Sequence, residues 1–185
     1  QRDPTGFGTN LDGGIGTSGF EDNSYHVILN YDLDNTAILD GFTIQGGNSS
    51  DYGGGIYNSN SSPIFNYCTI SSNYAYNGGG GIFNTASSIP ILSTCTISSN
   101  SSNEEGGGIY NLSSSPVMTI CNIRLNQAVI AGGGMSNHDG SSPIMNDCYI
   151  WGNTAEDGGG IHSEGSSPIL TNCDMAENSV FSGGG

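Results

Sequence analysis

The chain has 185 residues, enough for one domain, and only 34% of them are hydrophobic. Seventeen acids face two cations, Arg2 and Arg124, and the formal net charge of −15 argues against nucleic acid and anionic membrane surfaces, whose recognition rests on Lys and Arg. No apolar run approaches the ~20 residues of a membrane span, so no membrane insertion is expected.

In an ordinary globule so little apolar residue would suggest disorder. Internal repetition points the other way, because a few apolar residues at fixed positions can stack into one narrow continuous core. Residues 1–23, rich in Gly, Asp and Thr, hold one short strand candidate at Thr9 to Leu11 and read as an N-terminal cap or docking segment. From residue 24 the chain reads as a solenoid. HVIL (His26 to Leu29) and TAILDGFTI (Thr36 to Ile44) are strand-like runs bounded by Asn, Asp and Gly. The second is a degenerate repeat unit.

Regular units begin at Gly53. PIFNYCTISSN (Pro63 to Asn73) returns as PILSTCTISSN at Pro90, PVMTICNIRLN at Pro116, PIMNDCYIWGN at Pro143 and PILTNCDMAEN at Pro168, each preceded by a glycine run. A further glycine run, Gly183, Gly184 and Gly185, stands where another unit would start, so the chain reads as a mature protein or a fragment. The cysteines are 27, 26, 27 and 25 residues apart, a by-product of the repeat and unlike a CxxC metal pattern.

Each unit offers three short strands: one after the glycines, one at Pro and one across Cys. Gly, Ser, Asn and Pro suit the corners, where a positive or fixed φ is needed. Strands of one type in successive units would pair in parallel about 4.8 Å apart. The expected fold is therefore all-β, a single-stranded parallel β-helix of about seven rungs of about 26 residues.

Alternation along the strands predicts columns of like residues. Ile56, Ile82, Ile109, Met135 and Ile161 point inward. Cys68, Cys95, Cys121, Cys148 and Cys173 form a core thiol ladder, with disulfides between some rungs as the alternative. Asn73, Asn100, Asn126, Asn153 and Asn178 form a corner ladder, their amides serving their own turns and one another. A second Asn row runs from Asn58 and lapses to Ser163. Phe65 and its equivalents are taken as inward, which leaves Ile64, Ile91, Val117, Ile144 and Ile169 as a partly exposed stripe and candidate association surface. Acids precede the glycines only in alternate rungs (Asp51, Glu104-Glu105, Glu156-Asp157), as expected where like charges on neighbouring strands repel.

The copies of GGG-[IM]-x-N, SSP and C-x-I-x-x-N, with NSYHVILNYDLDNTAILDGFTIQGGN before them, resemble right-handed parallel β-helix repeat proteins of the pectin-lyase-like superfamily. The Gly-Gly-x-Ile and x-x-x-Asn elements are also similar to chlamydial polymorphic outer membrane proteins. The resemblance covers residues 23–185 and implies a right-handed coil in a secreted or surface-attached, often adhesive protein.

That superfamily includes polysaccharide lyases and hydrolases. Lyases need a basic residue and usually acids for calcium, yet Arg124 is the one basic residue in the regular repeats. Hydrolases need poised carboxylate pairs and a cleft built from long loops, and every inter-strand segment here is short. No catalytic residue, cofactor or metal ligand is assigned, although acids leave Ca²⁺ binding open. His26, His138 and His162 sit in unlike contexts and read as surface or packed residues. Tyr57, Phe83 and Tyr110 form a row that suits cross-strand stacking and, as a second use, sugar rings. The expectation is an extracellular or cell-surface, non-enzymatic solenoid. It would join copies of itself end to end into a filament, with Gly183, Gly184 and Gly185 as the contact. A carbohydrate-binding module for surface glycans is the alternative, and a polysaccharide lyase or hydrolase a more distant one.

Overall fold

The computed structural model describes residues 9–14 and 22–181. Among these the chain forms only short strands and turns, and no helix is long and apolar enough to cross a membrane. It coils into a parallel β-solenoid of six turns. Three sheets have six strands, and a fourth has seven because Thr9–Asp12 pairs in parallel with Phe42–Gln45. The count of about seven rungs thus reduces to six complete turns and one added strand.

Each complete turn has four strands where the sequence suggested three. In the first regular turn they are Ile56–Ser59, Ile64–Asn66, Thr69–Ser71 and Tyr74–Ala75. We call their sheets the glycine-side, proline-side, cysteine-side and asparagine-side sheets. The fourth strand is two residues long, too short to show any alternation. The predicted run across Cys is shorter than expected because the chain turns within it. Tyr67, Thr94, Ile120, Asp147 and Asn172 all have φ between 52° and 54°, so each cysteine follows a left-handed corner residue. For a β-branched residue such as Thr94 or Ile120 that conformation costs about 1–2 kcal/mol, which the surrounding ladder must outweigh.

The glycine runs answer a different need. Gly79 has φ +64°. A Cβ on Gly80 would meet the Ser101 carbonyl oxygen at 2.2 Å, and one on Gly81 would meet the Gly108 oxygen at 2.6 Å. In this run of four, Gly79 sets the turn, and Gly80 and Gly81 let neighbouring backbones approach.

Inside, the turns stack in register. Ile82 pairs with Ile56 and Ile109, and Leu92 with Phe65 and Met118. The core is a column of Ile56, Ile82, Ile109 and Met135, a column of Phe65, Leu92, Met118 and Met145, and the cysteine-side isoleucines from Ile44 to Ile150. Of the two adjacent apolar residues after each proline, the second is the buried one at Phe65 and its first three equivalents in the regular turns, as taken from the sequence, while Leu170 in the last described turn is exposed.

Polar ladders run beside this core. In the corner ladder, Asn73 Nδ2 donates to Asn100 Oδ1 at 3.0 Å, and the pattern repeats through Asn126 and Asn153 to Asn178. Each Oδ1 also accepts the backbone N–H of the preceding asparagine, as Asn100 Oδ1 does from Asn73 at 3.1 Å. Each Nδ2 in addition reaches a carbonyl of the turn before, Asn100 to Ile70 at 2.9 Å. The second Asn ladder begins one turn earlier than the sequence suggested, at Asn30, and runs through Asn58, Asn84, Asn111 and Asn137 to Ser163. A buried serine ladder, Ser61, Ser88, Ser114 and Ser141, passes backbone N–H to hydroxyl contacts of 3.0 Å from turn to turn and was not anticipated.

Replacing Asn100 by Ala strands the Ile70 carbonyl, the Asn73 N–H and one partner of each neighbouring amide. At about 1–3 kcal/mol per buried unsatisfied group, Asn100→Ala is expected to cost about 3–5 kcal/mol in equilibrium urea unfolding. The half-buried Asn178 should cost clearly less when changed the same way. Equal losses at the two positions would contradict the ladder as a buried, mutually satisfied unit.

Candidate functional site

The outer face of the glycine-side sheet carries most of the side-chain chemistry. Its central column runs Leu29, Tyr57, Phe83, Tyr110, Ser136, His162, set by the strand register. Beside it lies a ladder of bridge residues: Tyr52, Gly78, Glu105, Ala131 and Asp157. Large and small residues alternate there, and each small one leaves a slot. The Tyr52 ring leans across Gly78 to stack on Phe83, centroids 4.5 Å apart and planes 17° apart, and also touches Tyr110. Phe83 and Tyr110 are therefore buried, and the Tyr57-Phe83-Tyr110 row packs across the strands with Tyr57 half-buried.

Glu105 uses the next slot in the same way. It leans past Ala131, and its Oε2 accepts the Ser136 hydroxyl at 2.8 Å and pairs with His138 Nε2. Ser136 Oγ lies 3.2 Å from His138 Nε2 and 3.4 Å from His162 Nδ1. On its other side, His138 Nδ1 faces Glu164 Oε2 at 3.5 Å. The Tyr110 ring meets the His138 ring edge-on at 5.4 Å, and the two imidazoles lie 5.6 Å apart. The sequence reading treated His138 and His162 as unrelated, and the coil corrects this: the two stand on adjacent turns and share one hydroxyl. His26 is separate. Its Nδ1–H donates to the Gly53 carbonyl at 2.7 Å, and its ring packs on Tyr25 and Tyr57.

Charge around this cluster is one-sided. The phenols of Tyr52 and Tyr110 are raised above their ordinary range, by burial first and then by nearby carboxylates, Asp51 for Tyr52 and Glu105 for Tyr110. The contact of Ser136, His138 and Glu164 has the connectivity of a nucleophile, base and orienting acid. However, Ser136 is 0% exposed and donates to Glu105, so its hydroxyl is neither open to a substrate nor aimed at the imidazole. Glu105, His138 and His162 are all half-buried, and each offers one ligand atom within 4.8 Å of the others.

A second feature lies on the cysteine-side sheet. Asn122, Arg124, Tyr149, Trp151, Asp174 and Ala176 line a shallow cavity of about 140 Å³. Tyr149 and Trp151 are two residues apart on one strand, share its outer face, and are exposed. Asn122 Oδ1 is buried and has no hydrogen-bond partner there.

The residues singled out from the sequence fall as follows. Cys68, Cys95, Cys121 and Cys148 are buried and Cys173 is half-buried, and all five are free thiols. Cys95 and Cys148 are held above the ordinary thiol range, first by contact with the Cys121 sulfur between them, then by the Cys68 sulfur and burial for Cys95 and by burial for Cys148. The ladder also gives its protons to carbonyls of the preceding turn, Cys95 to Phe65 at 3.3 Å. Ile64, Ile91 and Val117 are half-buried, whereas Ile144 and Ile169 are exposed, as is Ile38 at the other end of the row. Gly183, Gly184 and Gly185 lie outside the described residues, as do residues 1–8 and 15–21 of the expected cap.

Burial predicts an order of thiol reactivity. With a small alkylating reagent under native conditions, Cys173 should be labelled first and the other four about 100-fold more slowly, at the rate of turn opening. Mass spectrometry of labelled peptides reads this directly, and uniform labelling of all five would contradict the packed column.

No curated protein and no solved structure is significantly similar to the chain. A family model described as the right handed beta helix region matches residues 13–184. That span takes in every complete turn, the stacked cysteines and both asparagine ladders, and the chain belongs to the right-handed β-helix family.

Proposed function

We propose that the protein works by shape and contact, as a non-enzymatic structural or adhesive subunit outside the cell or at its surface, and that it associates end to end with copies of itself. One observation carries the reading: each inner column is made of like residues in register, so any turn presents a face complementary to any other. Ile meets Ile or Met, and Asn meets Asn, along most of the regular turns. In the turn from Ile161 to Phe181, Leu170 and Met175 lie exposed although their equivalents are buried in the other regular turns. A turn from a second copy seated on this face would bury them. Short connections throughout the regular turns favour a smooth rod over a substrate cleft.

Sedimentation and negative-stain electron microscopy test this reading. The chain is expected to form rods longer than the ~30 Å of six turns, and Leu170→Glu with Met175→Glu should leave single particles that still fold. Uniform ~30 Å particles of the unaltered chain at high concentration would sink the end-to-end reading.

The cavity at Trp151 favours a second reading, a surface that holds a hydroxyl-rich saccharide. Exposed Tyr149 and Trp151 offer ring faces, Arg124 offers donors, and the unpartnered Asn122 Oδ1 offers an acceptor. On a glycan array followed by calorimetry, Trp151→Ala and Arg124→Ala should each weaken binding about 10-fold or more, while Tyr57→Ala should not. Binding insensitive to both changes would remove this reading.

A further inference from the structure

We propose that Glu105, His138 and His162 form a binding site for a divalent metal ion of the zinc class. Two imidazoles and one carboxylate, with a fourth position left for water, form a donor set suited to Zn²⁺. Tetrahedral coordination at about 2.0–2.1 Å puts ligand atoms about 3.3 Å apart. The three donor atoms already lie within 4.8 Å of one another, on half-buried side chains that a small rotation can close. Ser136 Oγ marks where they converge, at 2.8 Å from Glu105 Oε2, 3.2 Å from His138 Nε2 and 3.4 Å from His162 Nδ1. An ion entering there takes the place of the proton between His138 and Glu105, and the Ser136 hydroxyl turns aside.

The surroundings suit an ion as well as the donors do. With Nε2 on the metal, His138 carries its proton on Nδ1, which faces the Glu164 carboxylate at 3.5 Å. A carboxylate behind a ligating imidazole fixes the tautomer and raises ligand basicity. The edge-on Tyr110 ring holds the same imidazole in place. The sequence contains no lysine, and its one arginine within the regular turns, Arg124, is on the cysteine-side sheet, away from this face. The alternation of large and small bridge residues also acquires a purpose, because Ala131 gives Glu105 room to reach the next turn.

The test is calorimetric titration of tag-free protein with Zn²⁺ alone, on a Cys173→Ser background so that the half-buried thiol is not a source of binding, with Co²⁺ absorption as a readout of coordination. One saturable site per chain is expected. His138→Ala and His162→Ala should each weaken it about 100-fold, and Glu164→Gln about 10-fold, whereas His26→Ala should leave it unchanged. Circular dichroism confirms that each variant folds. The proposal is overturned if the folded protein takes up no Zn²⁺ at ~1 mM, far above the affinity of any such site, or if the His138→Ala, His162→Ala double variant binds like the parent.

Discussion

In an in-register parallel coil, every side chain has copies of its own column for neighbours. A residue type can occupy a whole column only if it is compatible with itself, and most of the molecule follows from this constraint. Isoleucine packs on isoleucine. Asparagine carries a donor and an acceptor on one amide, so a column of asparagines satisfies itself while also serving two backbone groups per turn. Serine hydroxyls accept a backbone N–H, and thiols donate to a carbonyl, of the neighbouring turn. Carboxylates accept but do not donate, and they repel, so they cannot form such a column. At several acids an amide stands on the adjoining turn: Gln45 donates to Asp12, Asn60 to Asp32 and Asn77 to Asp51. Glu105 has Gly78 and Ala131 on either side.

The same constraint explains what could be read in advance. Columns of identical residues repeat at a fixed spacing, so the thiol ladder and the corner asparagines were legible from spacing alone, whereas alternation left two choices after each proline and the inward Phe65 row was chosen between them with the family resemblance in support. What escaped notice has no such signature. Left-handed corners at Tyr67, Thr94, Ile120, Asp147 and Asn172 share a conformation but no residue type. The two-residue strands on the asparagine side are too short for any period. The serine ladder is hidden because serines also fill the exposed corners around it.

The histidine cluster was missed for a related reason. Its members stand in columns of mixed residues: His162 follows Leu29, Tyr57, Phe83, Tyr110 and Ser136, His138 follows Ser59, Thr85 and Leu112, and Glu105 lies between Gly78 and Ala131 in a ladder that also holds Tyr52 and Asp157. Aligning the units on one another and asking which acids and histidines fall on adjacent turns would have brought the three together. In a solenoid the consensus positions maintain the coil, and chemistry is added where the consensus is broken. The Arg124, Tyr149 and Trp151 group has the same character, one cation and two rings in columns otherwise made mostly of Thr, Asn and Ser.

The amide ladders also give the rod a sense of direction. Backbone hydrogen bonds run both ways along the axis, Ile56 N–H to the later Gly81 and Ile64 N–H to the earlier Ala37. In both asparagine ladders, by contrast, Nδ2 donates to the next amide toward the C-terminal turn at each step. Two parallel files of side-chain dipoles are thereby aligned along the axis, each polarising the next. The ends of such a rod are not equivalent: the ladders close with an oxygen acceptor toward one end and an N–H donor toward the other, so the object is an arrow rather than a symmetric bar.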